Sequence, residues 1–284
     1  MQRVSIGLLI GVLAVITLGA VGCSGGSSSQ DAAAEAEWAW LTETKQSLDS
    51  KRQELAKLRM QAAEAADELG TVEEMTAAVE EQGGTGEDQE AVGDIGEEIV
   101  DLDAKLETLE EEVAAETDEF TQRLVQFLNA DPMIEGEPPT ERQIDALRMK
   151  SSEDMILAQE WIEKGGDYKR AIEIYETALM FDPDNPELAA ALEEAEANRW
   201  MAEERFATVT KGMTQAEVRS LLGQANLHNI RKYEDKGVEA WFYPTAEDGS
   251  AAAVWFQPDK SGKLTVYQVK FEAVDPKQLA EEEG

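Results

Sequence analysis

Cys23 is the only cysteine in this chain of 284 residues, and its thiol is the side chain with the clearest chemistry. It closes the run Leu18-Gly19-Ala20-Val21-Gly22-Cys23, after an apolar segment over residues 4–20 and a basic start at Arg3. A lone thiol cannot form a disulfide within one chain, so any fold must stand on packing alone. It can carry a thioether-linked lipid. Other reactive groups are sparse. His228 is the sole histidine, with no second histidine or cysteine to build a transition-metal site, and it falls in a loop between a helix and a first strand. Ser24 to Ser29 belong to a Ser/Gly tract, and neither a nucleophile elbow nor a phosphate-binding loop occurs. Paired carboxylates are too common to single out a general acid and base. Asp182, Asp184, Asn185 and Glu187 lack the glycine and full ligand ladder of a calcium loop and read as a turn. The expectation is no catalytic residue, no metal site, no cofactor and no enzyme.

The basic start, apolar run and small residues before Cys23 have the three-part shape of a secretory signal. The ending resembles a bacterial lipobox. That resemblance implies a signal peptide over 1–22, a diacylated Cys23 and an acylated new amino terminus, with several acyl chains giving stable attachment to a membrane. An ordinary signal peptide cut near Ala20, or an uncleaved anchor, is the alternative. Ser24 in place of an aspartate agrees with the sorting rule of enteric bacteria for the outer membrane, facing the periplasm.

Sixty acidic residues against twenty-five basic ones give a formal charge of −35. Such a chain cannot grip nucleic acid by neutralising phosphates. The acid is spread along helices, as on a solvated surface; a saline habitat or bound divalent cations would account for it equally.

The elements follow from periodicity. Residues 23–31 read as a flexible tether. Over 32–130, apolar residues recur in a three–four rhythm, in steps of three, four or seven: Leu41, Leu48, Leu55, Leu58, Ala62, Ala65, Leu69, Val72 and Val79, then Ile95, Ile99, Leu102, Leu106, Leu109, Val113, Phe120, Leu124 and Phe127. Glu116 sits in that seam. Two helical coiled-coil arms joined at Gly83-Gly84-Thr85-Gly86 predict an antiparallel hairpin, with a parallel dimer of chains as the alternative. Thr71-x-x-Glu74 after Gly70 looks like a capping box that would interrupt the first arm. Trp38 and Trp40 either touch the membrane interface or pack into the hairpin base. If the second arm returns to the lipid, everything after Pro132 lies near it and the tip projects outward.

Thr140-x-x-Gln143 signals a new helix with one apolar face of Ile144, Leu147, Met155, Ala158 and Ile162. Gly166-Asp167-Tyr168, Ala171-Ile172, Tyr175, Ala178-Leu179, Asp182-Pro183 and Asn185-Pro186 follow. Gly166 permits a tight turn, Asp167 and Asn185 can cap helices, and Pro186 suits a first helical position. This segment resembles the second half of a tetratricopeptide repeat, and a following helix runs from Glu187 to about Arg205. The unit spans 140–205. It is either a partner groove, with Tyr168 and Tyr175 as contact residues, or a compact helical spacer.

From 206 to 274 the texture becomes that of strands. Thr214-x-x-Glu217 starts a helix that Gly223 ends. Strands are expected at 229–233, 238–243, 252–257 and 264–271, with turns at Asp235-Lys236-Gly237 and 259–262. Gly212-Met213-Thr214, Val218, Leu222-Gly223, Trp241-x-Tyr243, Phe256 and Gly262-x-Leu264 resemble the BamE (SmpA/OmlA) family of small outer-membrane lipoproteins. The resemblance implies a non-catalytic role in stabilising envelope assemblies by protein contacts, the β-barrel assembly machinery among them. Trp241, Tyr243 and Trp255 are the candidate partner residues here. Residues 275–284 form an acidic tail.

The fold class expected is α+β: a long helical hairpin, a short helical segment and a small antiparallel sheet domain of three to four strands. The function expected is a membrane-anchored scaffold or accessory factor of outer-membrane assembly. A spacer between outer membrane and cell wall, or an inhibitor or sensor of a secreted ligand, is the alternative.

Overall fold

In a computed structural model, residues 27–80, 87–134 and 137–274 are described, with side chains over 31–72, 94–134 and 137–274. The signal segment, Cys23, the Gly83–Gly86 tip and the acidic tail lie outside the described residues. The architecture is α+β, with long helices followed by a four-stranded antiparallel sheet.

Helix α1 (Ser27–Glu80) and helix α2 (Glu87–Ala130) are rich in Ala, Leu, Glu and Gln and contain no proline, a composition that favours helix at nearly every position. Because α1 begins at Ser27, the last residues of the expected tether are helical. The interruption expected at Gly70-Thr71 does not occur. The Thr71 hydroxyl donates back to the Asp67 carbonyl at 3.0 Å, and one glycine costs only about 1 kcal/mol in a helix held by tertiary packing.

The arms run antiparallel within the one chain. Trp38 packs on Phe127, with ring centroids 5.4 Å apart, while further along Lys51 pairs with Glu112 and Arg59 with Glu110. Leu41, Leu48, Leu55 and Ala65 from α1 are buried, as are Leu102, Phe120 and Leu124 from α2. Glu116 in the seam is answered by Lys51 at 2.9 Å. Burial works against its charge, but hydrogen bonds from Lys51 and Ser47 prevail and hold the carboxyl below its usual range.

Helix α3 (Glu141–Gly165) starts at the expected capping box, with the Gln143 N–H donating to Thr140 Oγ1 at 3.2 Å and the Thr140 N–H to Gln143 Oε1 at 2.9 Å. It buries two faces rather than the single apolar one expected. Ala146 joins Leu41, Leu48, Phe120 and Leu124 in the base of the hairpin, whereas Ala158 joins the next helix pair. Ile144, Leu147, Met155 and Ile162 are only half-buried. The first face is held by charge. Arg52 of α1 donates to both oxygens of the buried Glu153, at 2.9 and 2.6 Å, and to Thr117 of α2 at 3.0 Å. One guanidinium thus joins three helices, and Arg142–Glu35 at 2.7 Å fixes the lower end.

Gly166 ends α3 with φ 63°, and Asp167 caps helix α4 (Tyr168–Phe181) through the Arg170 N–H. Asn185 caps helix α5 (Pro186–Asn198). The helix expected to reach Arg205 stops at Asn198, and α6 (Glu203–Phe206) is separate. The cause is local: the Met201 N–H donates to the Pro244 carbonyl at 2.8 Å and its side chain enters the core of the sheet. The sheet domain therefore begins near 201 rather than 206.

Helix α7 (Gln215–Leu222) packs Val218 and Leu222 onto the sheet β1 (Ile230–Tyr233), β2 (Val238–Pro244), β3 (Ala251–Pro258), β4 (Leu264–Val274), a meander with strands in sequence order. In β4 the core-facing residues are Leu264 and Val266, then Val269 and Phe271. The parity change falls where Trp255 pairs with Gln268 but Phe256 with Val266, the mark of a bulge that inserts one residue and turns alternate side chains over.

Helical and sheet parts meet at Gly166. A Cβ there would collide with the Gln224 carbonyl, so only glycine lets the α3–α4 turn come so close. Arg205 bridges the same junction, donating to Asn198 Oδ1 and to the Leu221 carbonyl, both at 3.0 Å.

Candidate interaction surface

Among the described residues, no three His, Cys, Asp or Glu side chains group as a metal site, and no helix is long and apolar enough to cross a membrane.

Three of the five aromatic residues expected at a partner surface are core residues. Tyr175 is 4 % exposed among Ala158, Ala171, Ala178, Leu188 and Ala195. Small alanines let these helices close, and the ring fills the space left between them. Trp241 is 1 % and Tyr243 5 % exposed, both under α7. The Trp241 indole donates to Glu239 Oε1 at 2.7 Å, and the Tyr243 hydroxyl to the Gly223 carbonyl at 3.3 Å. Burial pushes the Tyr243 phenol well up from its ordinary range. Tyr168 is half-buried at the Arg205 junction, where burial also raises its phenol. Its role there is to fix one part of the molecule on the other.

Trp255 is different, and strand register is the reason. Ile230 pairs with Trp241 and Trp241 with Val254, and this row faces α7. One residue out of phase, Arg231 pairs with Ala240, Ala240 with Trp255 and Trp255 with Gln268, while Phe242 pairs with Ala253 and Ala253 with Lys270. Those residues point to the opposite face. Ala240 and Ala253 are fully buried, whereas Phe242 and Trp255 are half-buried, edge to face at 6.2 Å. Small side chains on the strands between them let the rings settle against the sheet. Arg231 and Lys270, both exposed, stand at the two ends of this patch.

Phe242 was not anticipated from sequence. The signal was present in Ala240-Trp241-Phe242-Tyr243, where one aromatic of three consecutive ones must face away from the other two. The sequence also holds an uneven charge that only the fold makes meaningful. Residues 206–274 contain eight basic and eight acidic residues, against sixteen and forty-eight over 1–205. The patch thus sits on a neutral domain attached to strongly acidic helices.

Compared with known proteins, the chain matches no family model, no curated protein and no solved structure.

Proposed function

We propose that this chain is a lipid-anchored envelope protein that acts without catalysis, as a scaffold or accessory factor in outer-membrane protein assembly. The lipobox-like ending at Cys23 and the BamE-like residues from Gly212 to Leu264 support that setting. The observation that carries the scaffold reading is the half-buried Phe242–Trp255 pair on the face of the sheet turned away from α7. Aromatic residues bracketed by charge are the composition of contact hot spots. In this reading the hairpin base, with Trp38, Trp40 and Glu35, is the end nearest the lipid. Helix α3 then climbs its 25 residues, about 37 Å, before the Gly166 turn, so the sheet domain stands off the membrane instead of lying on it. The spacer role remains as a second reading, favoured by α1, whose 54 residues extend about 80 Å.

Two measurements test this. Metabolic palmitate labelling is expected to mark the wild-type chain but not Cys23→Ala, and the variant is expected to leave the membrane fraction. A photo-crosslinking amino acid at position 255 is expected to give protein adducts in intact cells, with none from the buried position 241. Adducts to β-barrel assembly components would support the assembly role. Silence at 255 with wall adducts from α1 would leave the spacer reading.

A further inference from the structure

We propose that the Phe242–Trp255 face of one copy seats the α2 arm of a second copy, along the exposed stripe Glu97, Val100, Asp103 and Glu107. This rests on the reading of that face as a contact surface, and names its occupant.

Charge is the first argument. Residues 60–119 hold twenty-two acidic residues and a single basic one, Lys105, already paired with Asp101. The interhelical ion pairs of the hairpin all use cations at or below Arg59 on α1, or at Arg123 on α2. The distal arm therefore carries excess negative charge, while among the described residues the outward cations beside the aromatic pair are Arg231 and Lys270, with the exposed Glu272 two positions beyond Lys270. An acidic helix is the partner such a face fits, and this chain supplies one.

Spacing is the second. Across three strand intervals and two residues along β4, Arg231 and Lys270 are about 16 Å apart. On α2, Glu97 and Glu107 are ten residues apart on one helical face, about 15 Å. Between them Val100 is 68 % exposed, the most exposed large apolar residue among the described side chains of α2. It lies opposite the seam, since Ile99, Leu102 and Leu106 turn inward. Gly96, one turn before Val100, has nothing within 4 Å of a Cβ position, so the sheet can approach this face closely. Val100 would meet the aromatic pair while the two glutamates meet Arg231 and Lys270. The surfaces differ, so the contact is head-to-tail and propagates unless the geometry closes it into a pair.

The test uses full-length protein in detergent and two charge-reversed forms, R231E/K270E and E97K/E107K. Each substitution is at an exposed position, and unchanged thermal midpoints establish that both forms fold. Sedimentation is expected to show concentration-dependent association of the wild type that weakens at least tenfold between low and high salt. Either charge-reversed form alone is expected to be monomeric, because its two surfaces then carry like charge. Mixed together they are expected to associate again, since each reversed surface meets its opposite on the other form. A monomeric wild type, association indifferent to the reversals, or failure of the mixture to recover would each overturn the proposal. Foreign-protein adducts at position 255 together with a monomeric wild type would overturn it while leaving the scaffold reading intact.

Discussion

Two carboxylates on neighbouring helices respond to acid in opposite senses. A hydrogen bond from Arg123 holds Glu37 below its usual range, and this outweighs its burial. Its stabilising contribution is present above the ordinary carboxylate pKa of about 4 and is lost as pH falls through the depressed value. Asp154 is raised instead, chiefly by burial, although Lys150 lies beside it. Ionising it costs stability above the raised pKa, and that cost disappears on acidification. Asp154→Asn is therefore expected to raise the thermal midpoint at pH 7 and to lose that advantage below pH ~4. Calorimetry at the two pH values decides it. The aromatic residues separate in the same quantitative way. Trp241→Ala empties a closed core site and is expected to cost about 3–5 kcal/mol in urea denaturation. Trp255→Ala removes a ring that lies on the outer face and is expected to cost only about 1 kcal/mol in the same assay. Their exposure could not be read from composition, because both lie in strands with aromatic residues at adjacent positions, and only the pairing register assigns them to opposite faces.

Among the elements, local signals were legible and long-range ones were not. The capping boxes at Thr140 and Thr214, the caps at Asp167 and Asn185 and the glycines closing the sheet turns involve residues within four positions of each other, and each forms as expected. The hairpin-facing side of α3 could not be anticipated. Its residues include Ser151 and Glu153, polar in sequence yet buried, and Glu153 is met by Arg52 from about a hundred positions earlier. Arg52→Ala leaves that buried carboxylate with only the longer Lys45 contact, at 3.6 Å, and is expected to cost about 3 kcal/mol. Loss of the α1–α3 contact should appear as hydrogen exchange along α3. At the other end, Gly166→Ala combines a positive φ with a collision against Gln224. It is expected to cost more than about 1 kcal/mol and to open the segment near Met201 to limited proteolysis.

At the scale of the whole molecule, an α1 helix of 54 residues predicts a maximum dimension of at least about 80 Å by small-angle scattering. A collapsed particle near half that length would contradict the hairpin. The sequence by itself determined the α+β order of elements, the two long helical arms and the strand boundaries to within a few residues, because periodicity and caps are properties of neighbouring positions. Tertiary structure alone decided that Tyr175, Trp241 and Tyr243 are interior, that α3 is shared between two cores, and that a neutral sheet domain is mounted up the side of an acidic strut. Those outcomes depend on which distant surfaces exclude water from each other. Burial is a relation between segments, and no single segment carries it.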